Sequence, residues 1–232
     1  MSNEAGFLAT GSQVRYRTIL RNVYMWMTAG LALTAVTAWG ITPYVPSLFR
    51  SGPWPFYFLL IGEFVLVLTL SRRIMGMGVP AAVGGFALYS VLNGITLSVV
   101  LMAYAKVVIF QAFAVSAGMF AVMSLWAVTT KRDLSGWGHY LFMGLIGLII
   151  AGLVGMFIGG QTYSMLYSAI GVVLFTALTA YDTQMIKRMS DALSEEVGET
   201  DYVRLSLLGA LKLYLDFINM FLFLLRIFGR RR

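Results

Sequence analysis

The chain has 232 residues, 59% of them hydrophobic and only 12% charged, with a mean hydropathy of +0.81 and a formal net charge of +7. A soluble domain carries about 25% charged residues, so the composition excludes a water-soluble globule and predicts one all-α integral membrane domain of spanning helices. There is no cysteine and a single histidine, His139, which excludes a disulfide framework, thiol catalysis and a His-rich metal centre within one chain; the basic residues cluster beside apolar runs, as topology signals do, and do not form a nucleic-acid-binding surface.

Residues 1–22 are polar and are predicted to form a cytoplasmic amino-terminal segment, with Arg15, Arg17 and Arg21 leading into the first apolar run, 23–41. That run is too long for a signal-peptide core and ends without a clean small-residue cleavage site, so it reads as an uncleaved first span. Further spans are predicted at 55–71, 79–104, 107–129, 139–159, 163–185 and 206–228. Each is near the ~20 residues that ~30 Å of hydrocarbon requires. A seven-helix transmembrane domain thus covers 23–229, and a basic tail covers 230–232. Pro43, Pro46, Gly52, Pro53 and Pro55 break the chain after the first span, Arg72, Arg73 and residues 76–80 after the second, Lys131 to Gly136 after the fourth, and Gly159 and Gly160 after the fifth. The third connection, around Lys106, is very short. Gly84 and Gly85 in the third span, and Gly144, Gly147, Gly152 and Gly155 in the fifth, are expected to let helices approach closely.

Lysines and arginines in short loops set the orientation. With the amino terminus inside, the inner segments hold Arg15, Arg17, Arg21, Arg72, Arg73, Lys131, Arg132, Lys187, Arg188 and Arg204, whereas the outer loops hold only Arg50 and Lys106. The tail of three arginines opposes this, because seven spans put it outside. The one long polar connection, 185–204, carries Asp191, Glu195, Glu196, Glu199 and Asp201 and reads as a solvated, helix-capped cytoplasmic linker. It lacks the D-x-[DN]-x-[DN]-G pattern of a calcium loop.

The last span is the unusual one. Lys212, Asp216, Asn219 and Arg226 lie inside it at offsets that stack on one helical face. A charged group near mid-bilayer costs roughly 2.5–3.5 kcal/mol on insertion scales, so this helix is expected to be shielded by other helices. Two further acids, Glu63 and Asp182, fall within predicted spans. If Asp182 and Asp216 face each other on adjacent helices, they cannot both ionise easily; the pair then shares a proton and senses pH. Deprotonated, it offers oxygen ligands to a hard cation such as calcium. Two carboxylates fall short of the 6–8 oxygens of a closed calcium cage, and weak, water-assisted binding suits a conduction path. Depth along the spans is consistent with an outer Glu63–Arg226 pair and an inner pair of Asp182 with Arg72 or Arg73. Lys212 is one turn from Asp216 along the same helix.

The run 171–187, GVVLFTALTAYDTQMIK, resembles the signature of the Bax inhibitor-1 family, and 213–229, LYLDFINMFLFLLRIFG, resembles that family's last helix. The segments SRRI at 71–74 and YSVLNGITLS at 89–98 are similar to its bacterial members. The resemblance spans essentially the whole chain. It implies seven helices with the carboxy-terminal helix central, a pH-sensitive calcium leak, and an aspartate pair that corresponds here to Asp182 and Asp216. The family's arginine partner corresponds to Arg72 or Arg73; helix phase relative to Glu63 slightly prefers Arg73. Asn93, Lys212 and Asn219 are expected along the polar pathway. Calcium and protons are then the species handled, no cofactor or nucleic acid is expected, and the compact chain fits a bacterial inner-membrane member with its amino terminus in the cytoplasm. The anti-apoptotic role of eukaryotic members is not carried over.

Three other classes compete. A proton-coupled cation exchanger would use the same carboxylates, although no internal repeat is evident. A membrane interaction protein without transport would tolerate replacement of Asp182 and Asp216 with no change in ion flux. An intramembrane aspartyl protease shares Tyr181-Asp182 but needs Gly-x-Gly-Asp, where this chain has Leu213-Tyr214-Leu215 before Asp216; a rhomboid-type protease lacks its serine motif.

Overall fold

The computed structural model describes residues 2–48, 50, 52–191 and 198–229, with side chains from residue 18 onward apart from Leu48. The 230–232 tail, Glu195 and Glu196 of the acidic connection, and the side chains of Arg15 and Arg17 lie outside the described residues. The helices are α1 (Ser2–Ile41), a short α2 (Val45–Leu48), α3 (Trp54–Arg73), α4 (Val79–Leu101), α5 (Lys106–Thr129), α6 (Gly138–Ile158), α7 (Gln161–Asp191) and α8 (Glu199–Phe228). Seven stretches are long and apolar enough to cross a membrane: Thr18–Ser47, Trp54–Gly76, Val79–Leu101, Lys106–Thr129, Ser135–Ile158, Gln161–Asp191 and Glu199–Phe228. No strand occurs among the described residues.

The predicted seven spans are all present, but several helices overrun them. α1 begins at Ser2, so helix continues back through the polar amino-terminal segment. α7 continues past 185 to Asp191 and α8 starts at Glu199, so most of the predicted 185–204 linker is helical. Hydropathy marks where hydrocarbon ends, whereas a helix ends where its backbone is broken, and no glycine or proline interrupts 184–191. Glu199 and Asp201 fall in the first turn of α8, where negative charge complements the helix dipole. Local breakers govern the other ends. Pro55 and Pro80 sit in the first turns of α3 and α4, where a missing N–H costs nothing. Gly159 (φ 59°) and Gly160 (φ 109°) turn the chain between α6 and α7 through conformations that side chains disfavour.

Burial separates α8 from every other helix. In its most apolar stretch 72% of residues are buried, against 11–33% in the other six spans. The carboxy-terminal helix is therefore the central one.

The chain divides into two compact units, Met1–Ala103 with Ile186–Tyr214, and Tyr104–Met185 with Leu215–Arg232. In the first, α4 packs on both α1 and α3. Gly94 lies where an added Cβ would come within 2.7 Å of the Thr34 carbonyl oxygen and the Thr37 Cβ, and Gly30 admits the Phe86 ring in the same way. Small residues thus bring α1 and α4 into backbone contact, the approach that favours helix association in lipid. α3 is peripheral: only Glu63 and Leu70 of its side chains are buried. The half of α8 in this unit sets Gly209 against Val23 and Ile186, and Tyr214 edge-on to Phe86 and Tyr89.

In the second unit, α6 and α7 form an antiparallel hairpin. Gly155, Gly152, Gly144 and Gly138 of α6 receive Tyr163, Tyr167, Leu174 and Tyr181 of α7 in turn. Two glycines expected at close contacts, Gly147 and Gly84, face open space instead, because they lie on the exposed faces of α6 and α4. Phe113 and Phe120 of α5 meet Phe217 of α8 edge-on, with ring centroids 5.6 and 5.9 Å apart.

These contacts predict that Gly94→Ala destabilises the protein by about 1–3 kcal/mol, the usual cost of overpacking, whereas Gly84→Ala leaves stability unchanged. Unfolding midpoints of the two variants in the same detergent check this pair.

Candidate functional site

The buried face of α7 recurs at helical spacing through Ser168, Gly171, Phe175, Thr179, Asp182 and Ile186. Within the second unit, Gly171 lies against the Phe223 ring, Phe175 stacks on Phe223 with centroids 5.9 Å apart, and the Thr176 hydroxyl is 4.0 Å from the Met220 sulfur. As α7 numbers rise, α8 numbers fall, so the two helices run antiparallel. Continued along this register, Asp182 and Asp216 fall on the shared face of α7 and α8, within about one helical turn (~5.4 Å) of each other in depth. Both are buried, at 7% and 4% relative exposure. Among the described residues no group of three or more histidines and acids is placed to hold a metal, so a cation at these aspartates would have two protein carboxylates and otherwise water or backbone oxygens.

The polar stripe of α8 is not its most enclosed face. Lys212, Leu215, Asn219 and Leu222 are half-buried and Arg226 is exposed, while Leu211, Leu213, Tyr214, Met220 and Leu225 are almost wholly buried. The large apolar side chains take the core, and the polar ones follow the less covered edge, with Asp216 at its border. The Asn219 amide donates to the Leu215 carbonyl 2.8 Å away in its own helix. The Arg226 guanidinium lies 5.5 Å from the centroid of Tyr167 and opens on a cleft of about 320 Å³ that Tyr104, Gln161 and Ser164 also line.

The first unit holds a second polar centre. Glu63, 8% exposed, sits on the narrow buried stripe of α3 and accepts a short hydrogen bond from the Thr96 hydroxyl of α4. Tyr89, Asn93 and Thr96 share one face of α4, and both Tyr89 and Tyr214 lie within electrostatic range of the Glu63 carboxyl. The Asn93 Oδ1 is buried and has no hydrogen-bond partner among the described residues. Thr34 donates to the Ser90 carbonyl at 2.9 Å and contacts the Tyr214 hydroxyl at 2.7 Å. Its only proton is used on Ser90, so Tyr214 is the donor in the second bond. Arg72 and Arg73 close α3 in its last turn, both exposed, where cations suit the helix dipole.

Thr34, Thr96 and Tyr214 were not marked by the sequence pattern. Hydroxyl residues are common in spans, and their partners here are 33 and 180 positions away. Only the antiparallel register of α3 and α4, seen in Leu70 against Gly85, brings Thr96 to the level of Glu63.

Seven spanning helices with a buried carboxylate-bearing last helix define a polytopic α-helical membrane protein. The chain belongs to the Bax inhibitor-1 family: the family described as "Inhibitor of apoptosis-promoting Bax1" matches residues 16–232. It is similar to the inner membrane protein YbhL of Escherichia coli K12, with 44% identity over 219 residues covering 93% of both chains. It is 43% identical over 221 residues to an uncharacterized protein of Deinococcus radiodurans, covering 93% of this chain and 91% of that one. An uncharacterized membrane protein of Streptococcus pyogenes serotype M1 is 40% identical over 225 residues, covering 95% of this chain and 96% of the relative.

The Thr34–Tyr214 bond predicts a double-mutant coupling of about 0.6 kcal/mol, and at most about 1.7 kcal/mol, the range found for polar pairs between membrane helices. Unfolding of Thr34→Val, Tyr214→Phe and the double variant measures it.

Proposed function

We propose that the chain is a pH-sensitive calcium leak channel of the bacterial inner membrane, with Asp182 and Asp216 as the proton-sharing sensor. What supports this reading is that Asp182 and Asp216 are both buried, and that the antiparallel register of α7 and α8, extended from the Gly171–Phe223 and Thr176–Met220 contacts, gives them matching depth. Two carboxylates forced close in a low dielectric hold one proton between them. When they lose it they repel each other and become oxygen ligands for a hard cation. With so few ligands the cation is held weakly enough to leave again, as conduction requires. Arg72 and Arg73 are the cations assigned to the inner end of this path, and Arg73 is the preferred partner of the pair. Glu63 and Arg226 are assigned to its outer end, with Asn93, Lys212 and Asn219 as polar groups between. The excess of basic residues in alternate connections supports a cytoplasmic amino terminus, and the name of the Escherichia coli relative supports the inner membrane.

Calcium flux into proteoliposomes at pH 6, 7 and 8 tests the reading. Native flux is expected to change several-fold across this range, and Asp182→Asn or Asp216→Asn is expected to flatten the dependence. A native protein that passes no calcium at any of the three pH values rules out the channel. Flux of another cation driven by a proton gradient would then identify an exchanger that uses the same carboxyl groups.

A further inference from the structure

Two residues beyond Asp182, on the opposite side of α7, Gln184 is buried and its carboxamide makes three hydrogen bonds, one to the last turn of α5 and two to the connection between α5 and α6. Its oxygen accepts from the Leu134 N–H at 3.0 Å, and its NH2 group donates to the Arg132 carbonyl at 2.9 Å and the Ala127 carbonyl at 3.3 Å. The Ala127 carbonyl is in the last turn of α5, where helix geometry leaves acceptors unsatisfied. Arg132 and Leu134 belong to an irregular segment that makes no helical bonds of its own at these atoms. One side chain thus satisfies three backbone groups that would otherwise be buried without partners or left to water. Packing reinforces the junction: Leu134 is buried against Ala127 and Ala180, with Met123 and Tyr181 at the border. The hydroxyl of Tyr181 occupies the space that Gly138 leaves open at the start of α6. Residues 180, 181 and 184 therefore hold the loop on one side of a single turn of α7, and Asp182 projects from the other side.

We infer that Gln184 is a positioning residue: it pins the α5–α6 loop to the turn of α7 that bears Asp182, and so fixes the rotation at which that carboxyl meets α8. The inference rests on the aspartate-pair reading above. A rotation of α7 by even part of a turn would move Asp182 off the shared face, and the three bonds to Gln184 resist it because all three would break together. Glutamine supplies both an acceptor and two donors on a side chain long enough to reach the loop. Methionine has a similar length and supplies neither donor.

The chain has no cysteine, so the test is made on Asp182→Cys/Asp216→Cys in proteoliposomes, with Gln184 native, Gln184→Met or Gln184→Glu. Disulfide formation with a membrane-permeant oxidant reports the meeting of positions 182 and 216, and hydrogen exchange at the Leu134 amide reports the clamp. The expected result is ready cross-linking with native Gln184. With Gln184→Met, cross-linking should slow and Leu134 exchange should rise by roughly tenfold or more. Gln184→Glu, which keeps the acceptor for Leu134, should restore protection of that amide in part. Unchanged Leu134 exchange in Gln184→Met overturns the clamp. Faster exchange with unchanged cross-linking shows that the clamp does not position Asp182 and overturns the inference alone. No cross-linking in any background removes the aspartate pair itself, and the inference with it. Circular dichroism of each variant confirms that the helices are retained.

Discussion

Lipid cannot solvate a charged side chain, and the most buried span, α8, is also the one that carries Lys212, Asp216 and Arg226. Its large apolar side chains fill the core, Asp216 is buried at their border, and Lys212, Asn219 and Arg226 follow the less covered edge. The other helices can be read by how much they share in enclosing α8. α4, α7 and part of α5 turn small or aromatic faces inward, whereas α3 and α6 present mostly apolar side chains outward, including Phe58, Ile61 and Phe64 on α3 and Ile149, Leu153 and Phe157 on α6. With no hydrophobic effect to drive helix association in the bilayer, close contact must come from van der Waals fit. The glycines of α6 that receive the tyrosines of α7, and Gly94 against α1, provide that fit.

Polar groups within this framework are satisfied in two distinct ways. Serines and threonines along the spans mostly return their hydroxyl proton to a carbonyl one turn back, as Thr179, Thr183, Ser116 and Ser206 do. This silences the hydroxyl at no cost in partners. Thr34, Thr96 and Gln184 do otherwise: each bonds to a different helix or connection. Tyr163 does the same with the Ala151 carbonyl of α6; Thr96 bonds a membrane carboxyl group directly, and Gln184 sits two positions from one.

The number and place of the spans were legible in the sequence because hydropathy over ~20 residues is a direct reading of the bilayer. The position of α8 at the centre was legible from its charges, but which face is enclosed was not: the apolar side chains fill the core and Lys212, Asn219 and Arg226 follow the less covered edge. Helix ends were less so: α7 runs on to Asp191 because polar residues without breakers remain helical once they leave the hydrocarbon. Partnerships were least legible. Glu63 stood out as a buried acid, but Thr96 looked like any other threonine until the α3–α4 register set it opposite. Gln184 lay inside the run 171–187 but carried no expectation of its own, since a glutamine near a span end usually faces headgroups. The identical residue types at Gly147 and Gly144 differ only in which side of α6 they occupy, and composition does not encode that side.

The order of the helices along the chain has a consequence for biogenesis. α8 leaves the ribosome after the other six spans, and it carries Lys212, Asp216 and Arg226 along its length. The six earlier helices therefore enter the membrane before their most buried neighbour, and in the first unit Thr34, Phe86 and Val23 await Tyr214 and Gly209 of α8. Docking of α8 would then be the last step of assembly, and a nascent chain stalled before it would leave Thr34 without its Tyr214 contact and Phe86 and Val23 uncovered, a surface that membrane quality-control proteases can recognise.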